Sequence, residues 1–257
     1  MKRLVFKARA YGPYRGRILQ DVDSDISQMT RELDVSMSKL KTDKRNRIII
    51  EIEGEDEEFV ANVLSKEYGA ESTTDIISVG SVYSGYLVDT GKVGYGLYVD
   101  IGITTPVQVD VLIPLFRLRK QLSMEKLPLR AIAKALVFVD NLPIGVNIIS
   151  IDLRGPKIEA ELAESFLSQL NRWVVDDHER VLVFGCTRKM LDEALKRSKH
   201  LEDIYKVEKL GSFEYSLRCK RSTRASGILA AIGPKLRGVP MHLFIPNEVG
   251  EIYRVKT

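Results

Sequence analysis

The sequence predicts an α+β protein in which a small β-barrel of five short strands stands between an N-terminal α/β unit and a C-terminal α+β unit. Three observations predict it. Apolar residues recur every three or four positions in the first third of the chain, which is the helical period. From Val79 the rhythm changes to short strands separated by glycines, and closing such strands into a barrel removes their exposed edges. The last ninety residues then read strand, helix, strand, strand, helix, strand, the order of the split unit of ferredoxin-like domains.

In chain order, Leu4 to Arg9 read as a strand, followed by a turn at Gly12, Pro13 and Gly16. Ile18, Leu19, Val22, Ile26, Met29 and Leu33 then define one face of a helix over about residues 18–33. Ile48, Ile50 and Ile52 alternate as a strand. Gly54 opens a second helix whose first turn carries Glu55, Asp56, Glu57 and Glu58, and Gly69 ends it. Those four acids read as partners of the helix dipole, with a metal site as the alternative.

The barrel strands are expected at residues 82–88, 95–101, 109–113, 145–151 and 157–162. Between the third and fourth lies a basic, helix-like insertion from Phe116 to about Phe138, interrupted at Pro128. A helix through Phe166, Leu167, Leu170 and Trp173 follows, then a strand at 181–184 and a helix at 187–199. A hairpin of strands at 205–210 and 213–219, a helix at 225–236 and a strand at 241–245 complete the chain. The implied domains are 1–77, 78–162 and 163–257.

The chain has 257 residues, 44% of them hydrophobic, so sizeable cores are within reach. No run of 18 apolar residues and no signal peptide is visible, and Cys186 and Cys219 lack paired zinc-site spacing, so a cytosolic protein with free thiols is expected. The net charge of +4 is modest but unevenly spread. Residues 1–47 hold 12 basic against 6 acidic side chains, 48–79 hold 1 against 9, 114–134 hold 6 against 1, and 211–257 hold 8 against 3. Basic segments of this kind suit an anionic polymer where the fold brings them together.

The segment GSVYSGYLVDTGKVGYGLYVDIGI, Gly80 to Ile103, resembles the opening strands of the RNA-binding OB fold of the ribosomal-protein S-one type, with Gly94 to Asp100 in the places of its second strand. LPIGVNIISID (142–152) and PKIEAEL (156–162) are similar to its fourth and fifth strands. Where that family often carries a histidine and a serine after the third strand, this chain has Ile113, Pro114 and Leu115. The likeness covers about residues 78–162. Over its full length the chain also resembles an archaeal family of unknown function through GCTR (185–188), LEDI (201–204), EKLG (208–211), CKRSTRASG (219–227) and IGPKL (232–236).

The barrel resemblance implies RNA binding by stacking bases on aromatic rings beside cations that hold phosphates. Candidate rings are Tyr83, Tyr95 and Tyr98, with Tyr98 facing outward and Tyr95 sharing the apolar side with Leu97 and Val99. Tyr86 lies at the opposite parity to Tyr83. Arg117, Arg119, Lys120, Lys126 and Arg130 are the candidate phosphate contacts of the insertion. Two strand-to-helix connections are candidate anion seats: Thr187 and Arg188 in one, Arg221, Thr223 and Arg224 in the other. Ordinary N-capping by Thr187, and by Ser222 or Thr223, is the alternative for each. No nucleophile-and-base pattern, metal motif or phosphate loop stands out, and the three histidines are scattered. Cys186 before a helix start could carry an activated thiol or be a buried strand-end residue. Asp89, Asp100 and Asp110 could hold magnesium or mark loops and strand ends.

The expectation is therefore a non-catalytic RNA-binding protein without a cofactor, associated with ribosomal or RNA-processing partners. A protein-interaction scaffold and an RNA-modifying or RNA-cleaving enzyme are the alternatives.

Overall fold

A computed structural model of the chain describes residues 1–73, 77–105, 108–124, 126–152 and 157–252. In its first third, β1 (Lys2–Arg9), α1 (Arg15–Met29), β2 (Ser36–Met37), β3 (Lys41–Thr42), β4 (Arg47–Glu53), α2 (Glu57–Tyr68) and β5 (Ser72–Thr73) follow one another. The sheet runs β1-β4-β2 with β3 also on β4, all antiparallel. Ile18, Val22 and Ile26 of α1 are buried against Ile48, Ile50 and Ile52 of β4 and Val60 and Leu64 of α2, the alternation expected of both element types. The first helix ends at Met29 rather than Leu33: Thr30 still bonds the Ile26 carbonyl through its N–H (3.0 Å) and hydroxyl (2.9 Å), and the chain then tightens into a turn with Leu33 N–H on the Thr30 carbonyl (3.0 Å). Gly54, at φ 150°, opens the turn into α2, and a Cβ there would stand 2.1 Å from the Asp34 carbonyl oxygen.

The second third comprises β6 (Val82–Val88), β7 (Gly96–Asp100), β8 (Ile103–Thr105), β9 (Val111–Pro114), α3 (Leu115–Leu122), α4 (Leu129–Leu136), β10 (Pro143–Asp152) and β11 (Lys157–Leu162). Five of these strands close into a barrel in the order β10-β11-β9-β7-β6, with β6 returning to β10. Every pair is antiparallel except β9 with β11. Leu87, Leu97, Val99, Val111, Ile113, Val146, Ile148, Ile158 and Ala160 fill it. Gly96 lets β7 lie close on β9, since a Cβ there would be 2.5 Å from the Ile113 carbonyl oxygen. The basic insertion forms two helices, with Pro128 immediately before the second, and their apolar faces (Leu118, Leu122, Leu129, Ile132, Leu136) join the barrel core. The side chain of Gln121 both donates to and accepts from the backbone of Leu162 at 2.9 Å, fixing α3 to β11.

The last third holds α5 (Glu164–Val175), β12 (Arg180–Phe184), α6 (Arg188–Ser198), β13 (Ile204–Lys209), β14 (Glu214–Cys219), α7 (Ala225–Ile232), β15 (Met241–Phe244) and α8 (Pro246–Ile252). Its antiparallel sheet is ordered β13-β14-β12-β15. One face packs on α6 and α7. The other sends Leu182, Phe184 and Phe244 toward Phe166, Leu170 and Trp173 of α5, which share the barrel's apolar cluster. The helix expected to reach Leu236 ends at Ile232, with Gly233–Lys235 in a tighter turn around Pro234, and α8 is an addition to the expected elements.

Candidate nucleic-acid interface

The outward positions of β6 and β7 pair as Val88 with Tyr98 and Tyr86 with Asp100. The two ends of this face have opposite fates. Asp100 is buried beneath the N-terminal domain, where its carboxylate accepts from Arg9, from Arg47 Nη2 (2.7 Å) and from the Gly102 N–H (2.8 Å). Arg45 Nη1 stands 3.2 Å from the same carboxylate and also grips Asp110, with Nη2 at 2.7 Å. Burial pushes the Asp100 carboxyl up, but the guanidiniums and the Gly102 N–H outweigh it and hold the group below its ordinary value. Arg9 also lies 5.3 Å over the ring of Tyr86, which is buried. The carboxylates weighed as magnesium ligands are thus salt-bridged: Asp100 and Asp110 share Arg45, and Asp89 pairs with Lys92 at 2.7 Å.

Tyr98, at the other end, is half-buried and its hydroxyl meets that of Tyr95 at 2.8 Å, the rings edge to face with centroids 6.3 Å apart. The Tyr95 bond, then burial, push the Tyr98 hydroxyl up to about 12. The expectation that Tyr95 shares the apolar side with Leu97 and Val99 is overturned: it is 57% exposed. Tyr95 lies one residue before β7, at the end of the strand, beyond the residues that fill the barrel. The Tyr95 carbonyl accepts the N–H of Leu115 at 2.8 Å, which brings the start of α3 alongside. The next residue, Phe116, is 63% exposed with the Arg117 guanidinium 5.2 Å over its ring. Lys157, paired with Glu159 at 2.9 Å, stands in the field of Tyr95.

The structure therefore brings Tyr95 and Tyr98 together and sets Arg117 on the adjoining helix. Tyr83 is elsewhere, packed against the barrel core on the β6–β10 side, its hydroxyl accepting the Ser78 N–H at 3.3 Å. Arg119 spends its Nε on the Leu127 carbonyl (2.8 Å), tying α3 to the connection before α4. Lys120, Lys126 and Arg130 are exposed. Phe116 and Lys157 are absent from the residues expected at the site, although an aromatic beside Arg117 in a basic insertion is a usable signal.

Both strand-to-helix connections are occupied by carboxylates of the chain itself. The Thr187 hydroxyl accepts the Met190 N–H (3.4 Å) as an N-cap and donates to Asp21 of α1 (2.7 Å), while Arg188 Nε pairs with Asp192 (2.9 Å). Glu179 takes Arg224 on one oxygen (2.6 Å) and the Ala225 N–H on the other (2.7 Å), so the start of α7 already holds an anion. In the same loop the Thr223 N–H is bound to the Lys220 carbonyl (2.9 Å), and Arg221 is exposed. Of the four acids around the start of α2, Asp56 accepts the Asp34 N–H (2.8 Å), Glu57 lies 3.8 Å from the Met1 amino group and Glu58 pairs with Lys2 (2.7 Å). Cys186 is fully buried, and burial pushes its thiol up to about 12, so the activated-thiol alternative gives way to the buried strand-end one.

A second buried carboxylate carries no mark in the sequence. Glu214 of β14 is wholly enclosed and accepts from the Tyr11 hydroxyl (2.8 Å) and the Phe213 N–H (3.2 Å), joining the first and last domains. Burial raises its carboxyl to about 7 against the lowering effects of those two bonds and of Arg9 and Lys209.

No described helix is long and apolar enough to cross a membrane. No curated protein matches the chain. Among solved structures, the crystal structure of a vaccinia virus protein (Wisconsin strain) is similar at 13% identity over 34% of this chain and 90% of that one, with a TM-score of 0.24. Family models described as the DUF2110 N-terminal, central and C-terminal domains match residues 4–73, 77–174 and 178–243 in turn. Together they span most of the sequence, and the chain belongs to the DUF2110 family.

Proposed function

We propose that the barrel is an OB fold of the S-one type, that the last domain is ferredoxin-like, and that the protein binds single-stranded RNA on the outer face of β7. The strand order β6-β7-β9-β11-β10, closed on β6 with β9 and β11 parallel, supports the barrel assignment, and the order β13-β14-β12-β15 supports the second. The observation that carries the function is the exposed Tyr95 ring locked to Tyr98 at the mouth of this face. A tyrosine held by its hydroxyl offers a π-face at low entropic cost, and bases of any identity stack on it. Arg117 and Lys120 on α3, with Lys126 and Arg130 beyond, supply phosphate contacts whose strength falls with salt. Both cysteines are free thiols, which suits a reducing cytoplasm. Ribosomal or RNA-processing assemblies are the fitting partners.

Each stacked base is worth about 1–3 kcal/mol, so the Tyr95→Ala/Tyr98→Ala double variant should weaken a single-stranded RNA oligonucleotide at least about tenfold in low-salt filter binding. Absence of wild-type binding at low salt, or equal binding by the variant, would overturn the reading.

A further inference from the structure

All three domains meet around a cavity of about 440 Å³ that lies apart from the tyrosine pair. Lys7 comes from β1, Lys66 from α2 and Lys209 from β13, while Ser84 and Gly85 of β6 and Ser212 form a wall without bulky side chains. Three lysines line this space with one carboxylate residue, Glu67, which is bonded to Lys209 at 2.8 Å. Among the described residues no carboxylate stands within ion-pair distance of Lys7. Its position is nonetheless fixed. The backbone N–H donates to the Gly69 carbonyl at 2.9 Å, and the stem runs over Gly69 and Gly102, where an added Cβ would come within 3.1 and 2.9 Å of its carbons. Both glycines have positive φ, 75° and 90°, so the backbone there favours leaving the groove open for the lysine stem. Burial lowers the pKa of this ammonium, Asp100 offsets it only in part from beyond ion-pair distance and Arg47 adds to the lowering, so a bound anion would favour the charged form.

We propose that this three-domain cavity is a phosphate-binding site in which Lys7 is the principal contact and Lys66 and Lys209 close the rim. A lysine held in place without a carboxylate partner gains more from an incoming anion than one already paired, because no internal ion pair must break first. The open wall of glycine and serine leaves room for tetrahedral oxygens and offers the two hydroxyls to them. The phosphate belongs either to a small molecule or to an RNA backbone, and the site reads only that group.

Inorganic phosphate titrated into the full chain should raise its Tm beyond the effect of chloride at matched ionic strength, as any ligand selective for the folded state does. Lys7→Met, which keeps the stem over both glycines, should weaken phosphate about tenfold or more by calorimetry. Ser84→Asp, at an exposed position, should do the same by repulsion even if the first variant folds poorly. A single-stranded RNA arm separates the sources: displacement of RNA by phosphate at constant ionic strength assigns the site to a backbone phosphate, and indifference assigns it to a small phosphorylated ligand. A phosphate response no larger than that of chloride, or a wild-type response in Ser84→Asp, would overturn the site while leaving the tyrosine face untouched.

Discussion

Replacing Asp100 by asparagine removes one charge from the centre of the contact between the first domain and the barrel. The carboxylate and the guanidiniums of Arg9 and Arg47 are nearly inaccessible, with side-chain exposures of 2%, 6% and 2%. Asparagine retains a carbonyl that can accept one of the existing bonds, but it leaves Arg9 without a counter-charge and Arg47 with only the more distant Asp43. Breaking a buried pair from one side costs about 3–5 kcal/mol, because the remaining charges keep their desolvation penalty. The lower end applies here, since Arg47 keeps Asp43 at 3.9 Å and Arg9 keeps the Asn141 carbonyl oxygen at 3.2 Å. A loss of about 3 kcal/mol, with a urea slope of about 3 kcal/mol per molar, lowers the unfolding midpoint by about 1 M. The single tryptophan, Trp173, sits in the apolar cluster shared by the barrel and the last domain, so its fluorescence alongside far-UV dichroism follows the transition. Asp110→Asn is the control: that carboxylate is 17% exposed and, among the described residues, pairs with Arg45 alone, so it should cost no more than about 1 kcal/mol. Equal midpoints for Asp100→Asn and wild type would refute the claim that this carboxylate anchors the two domains.

Two further outcomes follow from the buried groups. Glu214 binds its proton more tightly folded, at about 7, than at its ordinary 4.5, so its contribution is present below pH 4.5 and is lost as pH rises through 7. Urea midpoints of wild type should therefore fall across that window by the equivalent of about 3 kcal/mol relative to Glu214→Gln, and parallel pH profiles would contradict this. Cys186, with its thiol raised to about 12, should resist iodoacetamide at pH 8 in the native protein and react after denaturation, as read by mass spectrometry; prompt native labelling would show an accessible thiolate.

Local chemistry explains which parts of this architecture are legible in the sequence. Alternation marks Ile48, Ile50 and Ile52, and the 3.6 period marks Ile18, Val22 and Ile26, because each pattern reflects one face meeting one core. Pro128 marks the start of α4 for a backbone reason that needs no tertiary context, whereas the end of α3 at Leu122, capped by Ser123 in the left-handed region, carries no such mark. The errors arise where a particular hydrogen bond or a partner distant in sequence decides. After Thr30 the chain turns, Leu33 N–H reaching back to the Thr30 carbonyl, and Tyr95 at the end of its strand meets Tyr98 instead of the core. The Arg9, Arg45, Arg47 and Asp100 cluster joins residues up to 91 positions apart. Each reads alone as a solvated charge. Likewise, Thr187 and Arg224 look open to phosphate only until Asp21 and Glu179 are placed beside them.

The same clamp shapes how the barrel could be used. On β7 the outward side chains are Tyr98 and Asp100, two residues and so about 7 Å apart along the strand. The N-terminal domain covers Asp100 with three arginines and leaves Tyr98 beside Tyr95, cutting the outward face of this strand to one end. A strand of RNA lying on the tyrosines would meet that domain within a nucleotide or two in one direction, and in the other it would continue past Phe116 and Arg117 onto α3. The three arginines add little attraction of their own at the covered end, since Asp100, Asp110 and Asp43 stand against their three charges. If the proposed function holds, a strand on the tyrosines is guided at this end of the barrel by the basic helix and not by Arg9, Arg45 and Arg47, whose charge is spent internally. Charge counted along a chain becomes a binding surface only after the internal ion pairs have been subtracted.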